Sequence, residues 1–517
     1  MTPTFTLDYG LRWELYTPIT ERARRTAGFL TVNGVQEFVV NPQPGYRTEW
    51  KGWGPRIQAT WQVTSKLSAH AAGGITVIPP NIWQDNDLTG EAPFVIYPRL
   101  LSASNAPIPY GFQITPAQLP HAYTPTGVEI LSSGRTNAVA PNTVMDVNRY
   151  EQDLAALTAG HVVSDLNLGS IDRSFGNSTL YTWTAGLERK FGNLTADASY
   201  VGTAANKLPR MSYTNAFPGA TAAFAPHTTF DSSGNITGGF GVETLVTANS
   251  HSTYHALQTS LSGTIANGGP GVQASYTWSK SIDDTSGVIT APAPQNPYNT
   301  HAEKGPSSFD GAHGFSLSAA QDLHMDKANF LRPVAKKITG GWELLSISSI
   351  SSGAPFTVYS GLQQTGAGAG GSDRPDQIAQ PHLSTARKNR EDYFGEGQEN
   401  GVDFFSVPVH ISGGTGPNQG RFGTLSRNTF RGPAFYNFDF ALIKDTPFGH
   451  RRSGAERADL QFRSKFFNLF NIVTMGQPMN ILGANSSGQI STTNGFGEIS
   501  KTAGNSRQIQ FSIKLIY

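Results

Sequence analysis

The chain has 517 residues, of which 15% are charged, 11% are aromatic and 38% are hydrophobic. Its 38 Lys and Arg residues almost balance its 37 Asp and Glu residues, and this net charge of +1 argues against a nucleic-acid partner. The sequence contains no Cys, which excludes disulfides, thiol catalysis and Cys-ligated metal centres.

The apolar runs and the start of the chain bear on a membrane location. No run reaches the roughly eighteen apolar residues of a membrane-spanning helix. The opening "MTPTFTLDYG" has neither the basic start nor the apolar core of a signal peptide. We therefore expect the chain to be a fragment, either of a truncated reading frame or from the C-terminal part of a longer protein.

Apolar and polar residues alternate along much of the sequence, which predicts β-strands with two different faces. In the first such segment every second residue from Phe5 to Leu15 is apolar, while Asp8 and Arg12 fall between them. The pattern predicts about twelve strands, at residues 3–16, 55–63, 66–76, 179–190, 194–203, 254–265, 271–280, 312–324, 339–351, 434–444, 457–469 and 506–517. Several have the length of about ten residues that a tilted strand needs to cross a bilayer.

The connections between these strands alternate strictly between short and long. The turns "TS" and "FGN" follow the second and fourth strands, and compact connections follow the sixth, eighth and tenth. Every other connection is long, up to the segment 77–178. Short turns on one rim and long loops on the other are typical of an outer-membrane β-barrel. A soluble β-sandwich also alternates along one strand, but the loop pattern and the strand length favour an all-β, antiparallel transmembrane barrel with long extracellular loops.

The polar strand faces of such a barrel point into the lumen, because charges at the lipid midplane cost several kcal/mol. On this basis Leu460 and Phe462 are expected to face lipid. The polar residues that we predict to face the lumen are Asp439, Asp459, Arg463 and Lys465. An even number of strands also places residues 1 and 517 on one rim, that of the short turns.

Several motifs together resemble those of one family. In chain order they are "LDYGLRWELYTPITE", "WGPRIQATW", "DVNRY", "SYVGTAANKLPR", "SYTWSKSIDD", "NPYNTHAEKGPSSFDGAHGF" and "LQFRSKFFNLFN" followed by "GQP". Nearly the whole chain thereby resembles the C-terminal barrel of a TonB-dependent outer-membrane transporter, in particular its Oar-like branch. Two positions depart from the family pattern: Lys465 replaces a usual acid, and the usual arginine near Gly314 is missing.

The resemblance implies a bacterial outer-membrane protein without enzymatic activity or cofactor, which moves an unidentified ligand through a barrel of about 22 strands. It also implies a signal peptide, a carboxypeptidase-regulatory-like domain, a TonB box and a plug, none of which is visible in this sequence. The chain would supply barrel wall and ligand-contacting outer loops. The implied partners are outer-membrane lipid, the barrel-assembly machinery, the ligand and, through the missing parts, the TonB complex. A passive porin-like or adhesive barrel is the alternative, distinguished by whether a plug and TonB box are encoded upstream.

The resemblance also gives the last predicted strand, "RQIQFSIKLIY", a role. Barrels of this kind carry an aromatic-ended final strand that the assembly machinery recognises, and an unpaired strand is suited to strand addition. The apolar row that would form this signal is Phe511, Ile513, Leu515 and Tyr517. The alternative is that the aromatic residue only anchors the strand at the membrane interface.

Three loop motifs suggest chemistry, and each has a plainer interpretation. "DNDLTGE" at 85–91 begins like a calcium loop, but Ile96 replaces the bidentate Glu, which favours an ordinary polar loop. Asp310 and His313 in "FDGAHG" have no second partner for acid–base work, which favours a structural junction. "TGAGAGGSDRPD" at 365–376 lacks the end of a phosphate loop and is expected to be a mobile loop tip.

Aromatic residues are expected in two settings. Trp13, Trp183 and Trp278 fit the aromatic girdles at the membrane interfaces of a barrel, although packing in a sandwich core is the alternative. The aromatics of the long loops either contact a ligand or pack within their own loop; they include Trp83, Tyr97, Phe112 and Tyr123.

Overall fold

The fold is dominated by one antiparallel sheet in which each long strand pairs with the next along the chain. The computed structural model describes residues 4–18, 21–22, 24–33, 35–43, 48–79, 93–94, 99–100, 120–131, 139–157, 162–163, 168–214, 228–230, 236–239, 243–266, 268–287, 293–325, 336–362, 373–380, 390–394, 402–408, 422–450, 456–485 and 487–517. Within these ranges the sheet has twelve wall strands: β1 (Phe5–Trp13), β2 (Trp53–Thr64), β3 (Leu67–Ile78), β4 (Ser178–Phe191), β5 (Leu194–Thr214), β6 (Glu243–Thr264), β7 (Gly271–Asp283), β8 (His313–Leu323), β9 (Trp342–Ser351), β10 (Phe435–His450), β11 (Glu456–Phe467) and β12 (Gln508–Ile516).

All twelve predicted strands are confirmed, but β5 and β6 are much longer than their predicted spans of 194–203 and 254–265. Their pairing continues past a bulge between Ala205 and Leu208 up to Thr214 and Glu243. This part of the strand pair lies at the end away from the short turns. Its sequence does not alternate between apolar and polar residues. The prediction missed it because a strand pair that meets one kind of environment on both faces needs no alternation.

The strand registers separate the short turns from the long loops. Leu67, next to the β2–β3 turn, pairs with Arg189 near the β4–β5 turn, so these turns share a rim. Ile78 pairs with Ser178 at the other end, where the segment 79–177 leaves and re-enters the sheet. The predicted segregation of short and long connections is therefore confirmed.

The sheet has one apolar and one polar face, because directly paired residues of neighbouring antiparallel strands project to the same side. One continuous row across ten strands is formed by Phe5, Trp61, Ala69, Leu187, Ala198, Thr259, Tyr276, Phe315, Ile350 and Tyr436. The adjacent row on the other face is formed by Gln62, Ser68, Glu188, Asp197, Ser260, Ser275, Ser316, Ser349 and Asn437. The one exception is Thr259, a polar residue in the apolar row. The two faces are otherwise strictly divided.

The sheet is open in this structure. Among the described residues β1 pairs only with β2 and β12 only with β11, so these two strands are its edges. All nine residues of β12 are exposed, as are all but one of β1. The apolar face is also the one that leaves large side chains uncovered, including Tyr9 at 80% and Ile513 at 71%.

Four of the long loops are packed into two lobes with their own apolar cores. The first lobe combines loops 14–52 and 79–177, and its buried core is Ala27, Phe38, Val40, Ala122, Ile130, Leu131, Val139, Met145, Val147, Tyr150 and Leu168. The second lobe combines loops 352–434 and 468–507, and its buried core is Phe356, Val358, Tyr393, Phe394, Val402, Phe405, Val407, Leu425, Phe430, Leu482, Ala484, Phe496 and Ile499. Each core needs residues from both of its loops.

Short elements complete the loops. The short strands are Ala27–Val32, Val35–Val40, Arg99–Leu100, Ala122–Tyr123, Glu129–Leu131, Thr143–Val144, Val162–Val163, Leu168–Ile171, Thr228–Phe230, Ile236–Gly239, Gly305–Pro306, Pro355–Phe356, Asp376–Gln377, Phe405–Ser406 and Phe430–Arg431. The helical segments are Val147–Leu157, Lys336–Thr339 and the 3-10 turns Thr300–Glu303 and Val402–Phe404. Asp146 begins the longest helix, since its Oδ1 accepts the backbone N–H of Arg149 at 3.0 Å. No helix in the described part of the chain is long and apolar enough to span a membrane.

Candidate functional site

The four polar residues predicted for the lumen share one face of β10 and β11. Arg463 pairs with Ile443 and Lys465 with Ala441, while Asp459 pairs with Pro447, and all these positions have the parity of Asp439. The face continues onto β12, whose Gln508, Gln510, Ser512 and Lys514 lie beside them. These four residues thus lie together on one face of the sheet.

Hydrogen bonds connect the polar face of β10 and β11. The Asp439 carboxylate accepts the backbone N–H of Asn468 at 2.9 Å and the side-chain amide of Asn437 at 3.0 Å. Arg463 donates from Nε to Gln461, whose amide donates to Asp445 at 2.7 Å. These contacts fix polar groups along the wall.

A hollow of about 520 Å³ opens along the first five strands. It is lined mainly by polar-face residues, among them Asp8, Arg56, Gln58, Thr182 and Thr203. Both a cation and a carboxylate line it together with amide and hydroxyl groups. The polar side of the sheet is therefore concave here.

Lower on the same face, His70, Ser199 and Asp197 form a hydrogen-bonded chain. Ser199 Oγ lies 3.1 Å from His70 Nε2 and donates to Asp197 Oδ1 at 2.8 Å. A nucleophilic triad needs the carboxylate on the histidine, so that the imidazole can take the serine proton. Here the carboxylate contacts the serine instead of the histidine. The three residues therefore link strand β3 to strand β5 and do not activate a nucleophile. The described residues also contain no group of three or more His, Asp or Glu that could bind a metal ion.

Four acidic residues at the loop end of β7 and in the loop after it each hold an arginine from elsewhere in the chain. We call these eight residues the arginine–acid cluster. Its pairs are Asp284 with Arg210, Asp283 with Arg427, Glu303 with Arg374, and Asp310 with Arg431. The carboxylates of Asp283, Glu303 and Asp310 are at most 3% exposed, so these ions depend on their partners.

Further hydrogen bonds join the pairs into a network. Arg427 donates from Nε to the backbone carbonyl of Glu303 at 3.0 Å and from Nη1 to Ser286 at 2.9 Å. Gln295 accepts the backbone N–H of Arg374 at 2.6 Å, and its own backbone N–H donates to Glu303 at 3.1 Å. The network ties the loop between β7 and β8 to the loop between β9 and β10, and so fixes the base of the second lobe above the sheet.

Two buried tyrosines belong to the lobe cores. Burial raises the pKa of Tyr150 to about 12 in the first lobe and the pKa of Tyr393 to about 12 in the second. Tyr393 also donates its hydroxyl proton to the backbone carbonyl of Arg431 at 2.5 Å. The aromatic Tyr123 packs within its own lobe, because the guanidinium of Arg149 lies 3.6 Å from its ring centroid.

The interpretations of the three loop motifs have different outcomes in the structure. Asp310 and His313 are not brought together: the carboxylate binds Arg431, whereas His313 Nδ1 lies 2.9 Å from the hydroxyl of Tyr276. The mobile tip predicted at 365–376 is wrong for its last four residues, since Arg374 and Asp376 are buried and bonded. The segment 363–372, the calcium-like motif at 85–91, Ile96 and the loop aromatics Trp83, Tyr97 and Phe112 lie outside the described residues.

Sequence reasoning missed the arginine–acid cluster. Its acids stand in the motifs "SYTWSKSIDD" and "NPYNTHAEKGPSSFDGAHGF", which carry the family resemblance. The sequence offers no local signal for the partners, since Lys280 and Lys304 stand closer to these acids along the chain than the arginines do. The arginines could not be identified, because Arg374 lies 71 residues from Glu303.

The proposed signal residues lie together at the open edge of the sheet. Phe511 pairs with Ser464, Ile513 with Phe462 and Leu515 with Leu460, which places them on the apolar face. The exposed fractions are 65% for Phe511, 71% for Ile513, 53% for Leu515 and 93% for Tyr517. The row is therefore exposed on the apolar face and lies beside the unpaired edge.

The chain matches the family model described as an outer membrane beta barrel domain over residues 1–510. No curated protein matches it. Among solved structures it is similar to the outer membrane transporter YddB from Escherichia coli, with 10% identity, a TM-score of 0.42, and coverage of 93% of this chain and 42% of that one. It is also similar to the pyoverdine receptor FpvA from Pseudomonas aeruginosa, with 10% identity, a TM-score of 0.40, and coverage of 100% and 40%.

A third similar structure is the FrpB iron transporter from Neisseria meningitidis, with 11% identity, a TM-score of 0.36, and coverage of 100% of this chain and 43% of that one. The chain thus spans less than half the length of each of these structures. The strand topology and the two-faced sheet of this chain agree with the outer membrane β-barrel domain that the family model describes. The chain belongs to the outer membrane β-barrel domain family and is a protein of the bacterial outer membrane.

Proposed function

We propose that this chain forms wall and outer loops of a TonB-dependent receptor of the Oar-like branch. Such a receptor moves an unidentified ligand across the outer membrane, with energy delivered by the TonB complex from the inner membrane. The family motifs of the sequence support this branch. In this proposal the chain is the C-terminal part of a barrel of about 22 strands, and the plug, TonB box and N-terminal domain belong to the rest of the protein.

The observation that carries the proposal is the division of the sheet into one polar and one apolar face. In a barrel, the polar rows with Asp439, Asp459, Arg463 and Lys465 line the lumen, and the apolar rows contact lipid. The concave hollow on the polar side supports this orientation. The wall carries both signs of charge and many hydroxyl groups, which suits a hydrated interior.

The two lobes would provide the ligand-contacting surface. Their packed cores give them a defined shape, and the arginine–acid cluster anchors the second lobe to the wall. A preorganised surface binds with a smaller ordering cost than a flexible loop does. Ligand binding, rather than catalysis, is the role that we propose for these loops, because the buried acids Asp283, Glu303 and Asp310 are each held by an arginine.

The proposal is tested by TonB binding and by conductance. The full-length protein is purified in detergent, immobilised, and exposed to the purified periplasmic domain of TonB, with an unrelated porin as control. We expect TonB to bind saturably to this protein and not to the porin. We also expect this protein to form a closed channel in planar bilayers. A constitutively open channel without TonB binding would show instead a passive porin, and a closed barrel without TonB binding would favour an adhesive or structural role.

We further propose that the apolar row of β12 acts as a signal for the barrel-assembly machinery. Its exposed edge offers backbone groups for strand addition, and its alternate apolar side chains offer specificity. In the full-length protein, Tyr517→Asp should strongly reduce outer-membrane insertion, and Tyr517→Phe should not. Equal insertion of both variants would leave the row with only a role in interfacial anchoring.

A further inference from the structure

The apolar face carries a small group of polar and cationic residues near its loop rim. It consists of Tyr200 on β5, His255 on β6, Tyr276, Trp278 and Lys280 on β7, and His313 on β8, and we call it the rim patch. The strand registers make it contiguous, since His255 pairs with Lys280 and His313 with Trp278. We propose that the rim patch binds the phosphate head group of an anionic lipid in the outer leaflet, an inference that rests on the proposed lipid contact of the apolar face.

The height of the patch fits the head-group region. Strands rise about 3.3 Å per residue and tilt by about 35–45°, so about ten residues cross an apolar band of about 25 Å. Lys280 follows Gly271, at the turn end of β7, by nine residues. His255 precedes the turn end of β6 by nine, and His313 precedes the turn end of β8 by ten. All three therefore reach the outer border of the band together.

Lys280 is an uncompensated cation. Two other cations on the apolar face lie near the turn rim and have partners, since Arg189 lies 4.9 Å from the Phe191 ring centroid and Lys444 donates to the Asp445 carbonyl at 2.8 Å. Lys280 is exposed and has no hydrogen-bond or ion-pair partner within the described residues. Asp284, which directly follows β7, is already held by Arg210 at 3.0 Å.

Two tyrosine–histidine pairs flank Lys280 and orient ring nitrogens. The hydroxyl of Tyr200 lies 2.7 Å from Nδ1 of His255, and the hydroxyl of Tyr276 lies 2.9 Å from Nδ1 of His313. The rings of both pairs are stacked, with centroids 6.1 and 6.2 Å apart. A hydroxyl that donates to Nδ1 leaves the proton of a neutral imidazole on Nε2. In this tautomer, Nε2–H remains to donate to a phosphate oxygen.

The chemistry of the patch matches a phosphorylated lipid. Lys280 supplies a point charge, and the two imidazoles supply N–H donors on either side of it. Trp278, 58% exposed, and the tyrosine rings suit the boundary between acyl chains and head groups. A free anion would gain the polar contacts but none of this apolar surface, which is why we assign the patch to a lipid.

The experiment measures lipid retention by the full-length protein. The protein is incorporated into phosphatidylcholine nanodiscs that contain bis-phosphorylated lipid A. It is then released from the nanodiscs, and the lipid A that remains bound is counted by mass spectrometry. We expect the double variant Lys280→Gln/His255→Gln to retain about fivefold less lipid A than the parent. Lys190→Gln, which removes an exposed cation from the polar face at the turn rim, is the matched control and should retain as much as the parent.

Two further arms make the outcomes distinct. Dephosphorylated lipid A should be retained weakly and equally by all variants, and equal retention of both lipids by the parent would overturn phosphate recognition. A fluorophore on Ala274→Cys, in full-length protein whose cysteines outside this chain are replaced, should be quenched by brominated acyl chains. Failure of quenching would refute the lipid contact of the apolar face and the proposed function with it. Quenching together with parental retention by the double variant would refute the rim patch alone.

Discussion

Arg374 and Glu303 form a two-pronged ion pair between two outer loops, with Nη1 2.7 Å from Oε2 and Nη2 2.9 Å from Oε1. Both side chains are almost fully buried. Removing one partner leaves an uncompensated buried charge, which costs about 3–5 kcal/mol, whereas exposed pairs contribute about 0–1 kcal/mol. The base of the second lobe therefore depends on this pair far more than on any surface pair.

The first prediction follows from that pair. Arg374→Ala should lower the opening free energy of the second lobe by about 3–5 kcal/mol, as measured by hydrogen exchange of the full-length protein. Arg25→Ala, which breaks an exposed pair with Glu21, is the control and should have little effect. A double replacement, Arg374→Met with Glu303→Leu, should recover much of the loss, and an equally unstable double variant would contradict the argument.

The second prediction concerns a glycine on the apolar face. Trp183 pairs directly with Gly202, and a Cβ at Gly202 would overlap its indole ring. We expect Gly202→Ala to destabilise the barrel by about 1–3 kcal/mol, detected as a lower temperature of heat-modified electrophoretic migration. Gly314→Ala is the matched control, because a Cβ there meets nothing within 4 Å. Equal behaviour of the two variants would contradict the close packing.

The third prediction concerns alkaline pH. The pKa of Tyr150 rises from 10.0 to about 12 on burial, so the folded first lobe favours the neutral phenol. Its contribution, about 2–3 kcal/mol, is complete below pH 10 and is lost as the pH rises toward 12. Tyr150→Phe should flatten this pH dependence of unfolding, whereas Tyr9→Phe, at an exposed position, should not. An unchanged profile in Tyr150→Phe would count against the burial effect.

The fourth prediction tests the two faces of β11. Since this chain has no cysteine, a single introduced cysteine is labelled without background once any cysteines in the rest of the full-length protein are replaced. Arg463→Cys and Lys465→Cys should react with a water-soluble thiol reagent in the assembled protein, while Leu460→Cys and Phe462→Cys should be protected by lipid. Protection of the first pair and labelling of the second would reverse the assignment of the faces.

The wall of the molecule could be read from the sequence, whereas the loops could not. A strand with an apolar environment on one face and water on the other must alternate between apolar and polar residues. This alternation predicts β4 at 179–190, and the structure places it at Ser178–Phe191. The lobe cores have no such period: Phe356, Phe394 and Phe430 are separated by long polar stretches. Their association depends on pairings between distant segments, which a local pattern does not encode. For the same reason the arginine–acid cluster was invisible, although its acids stood in conspicuous motifs.

The composition of the two lobes has a consequence for how such a protein diversifies. Phe394 from one loop stacks on Phe496 from the other, with ring centroids 5.0 Å apart. A recombination event that brought in a new segment 352–434 alone would separate these rings and leave both halves of the core uncovered. Loops 352–434 and 468–507 must therefore be inherited as a pair, and the wall strands β10 and β11 travel between them. New surface specificity in this protein is expected to arise by exchange of whole C-terminal blocks or by point changes on the outside of a lobe, and not by replacement of single loops.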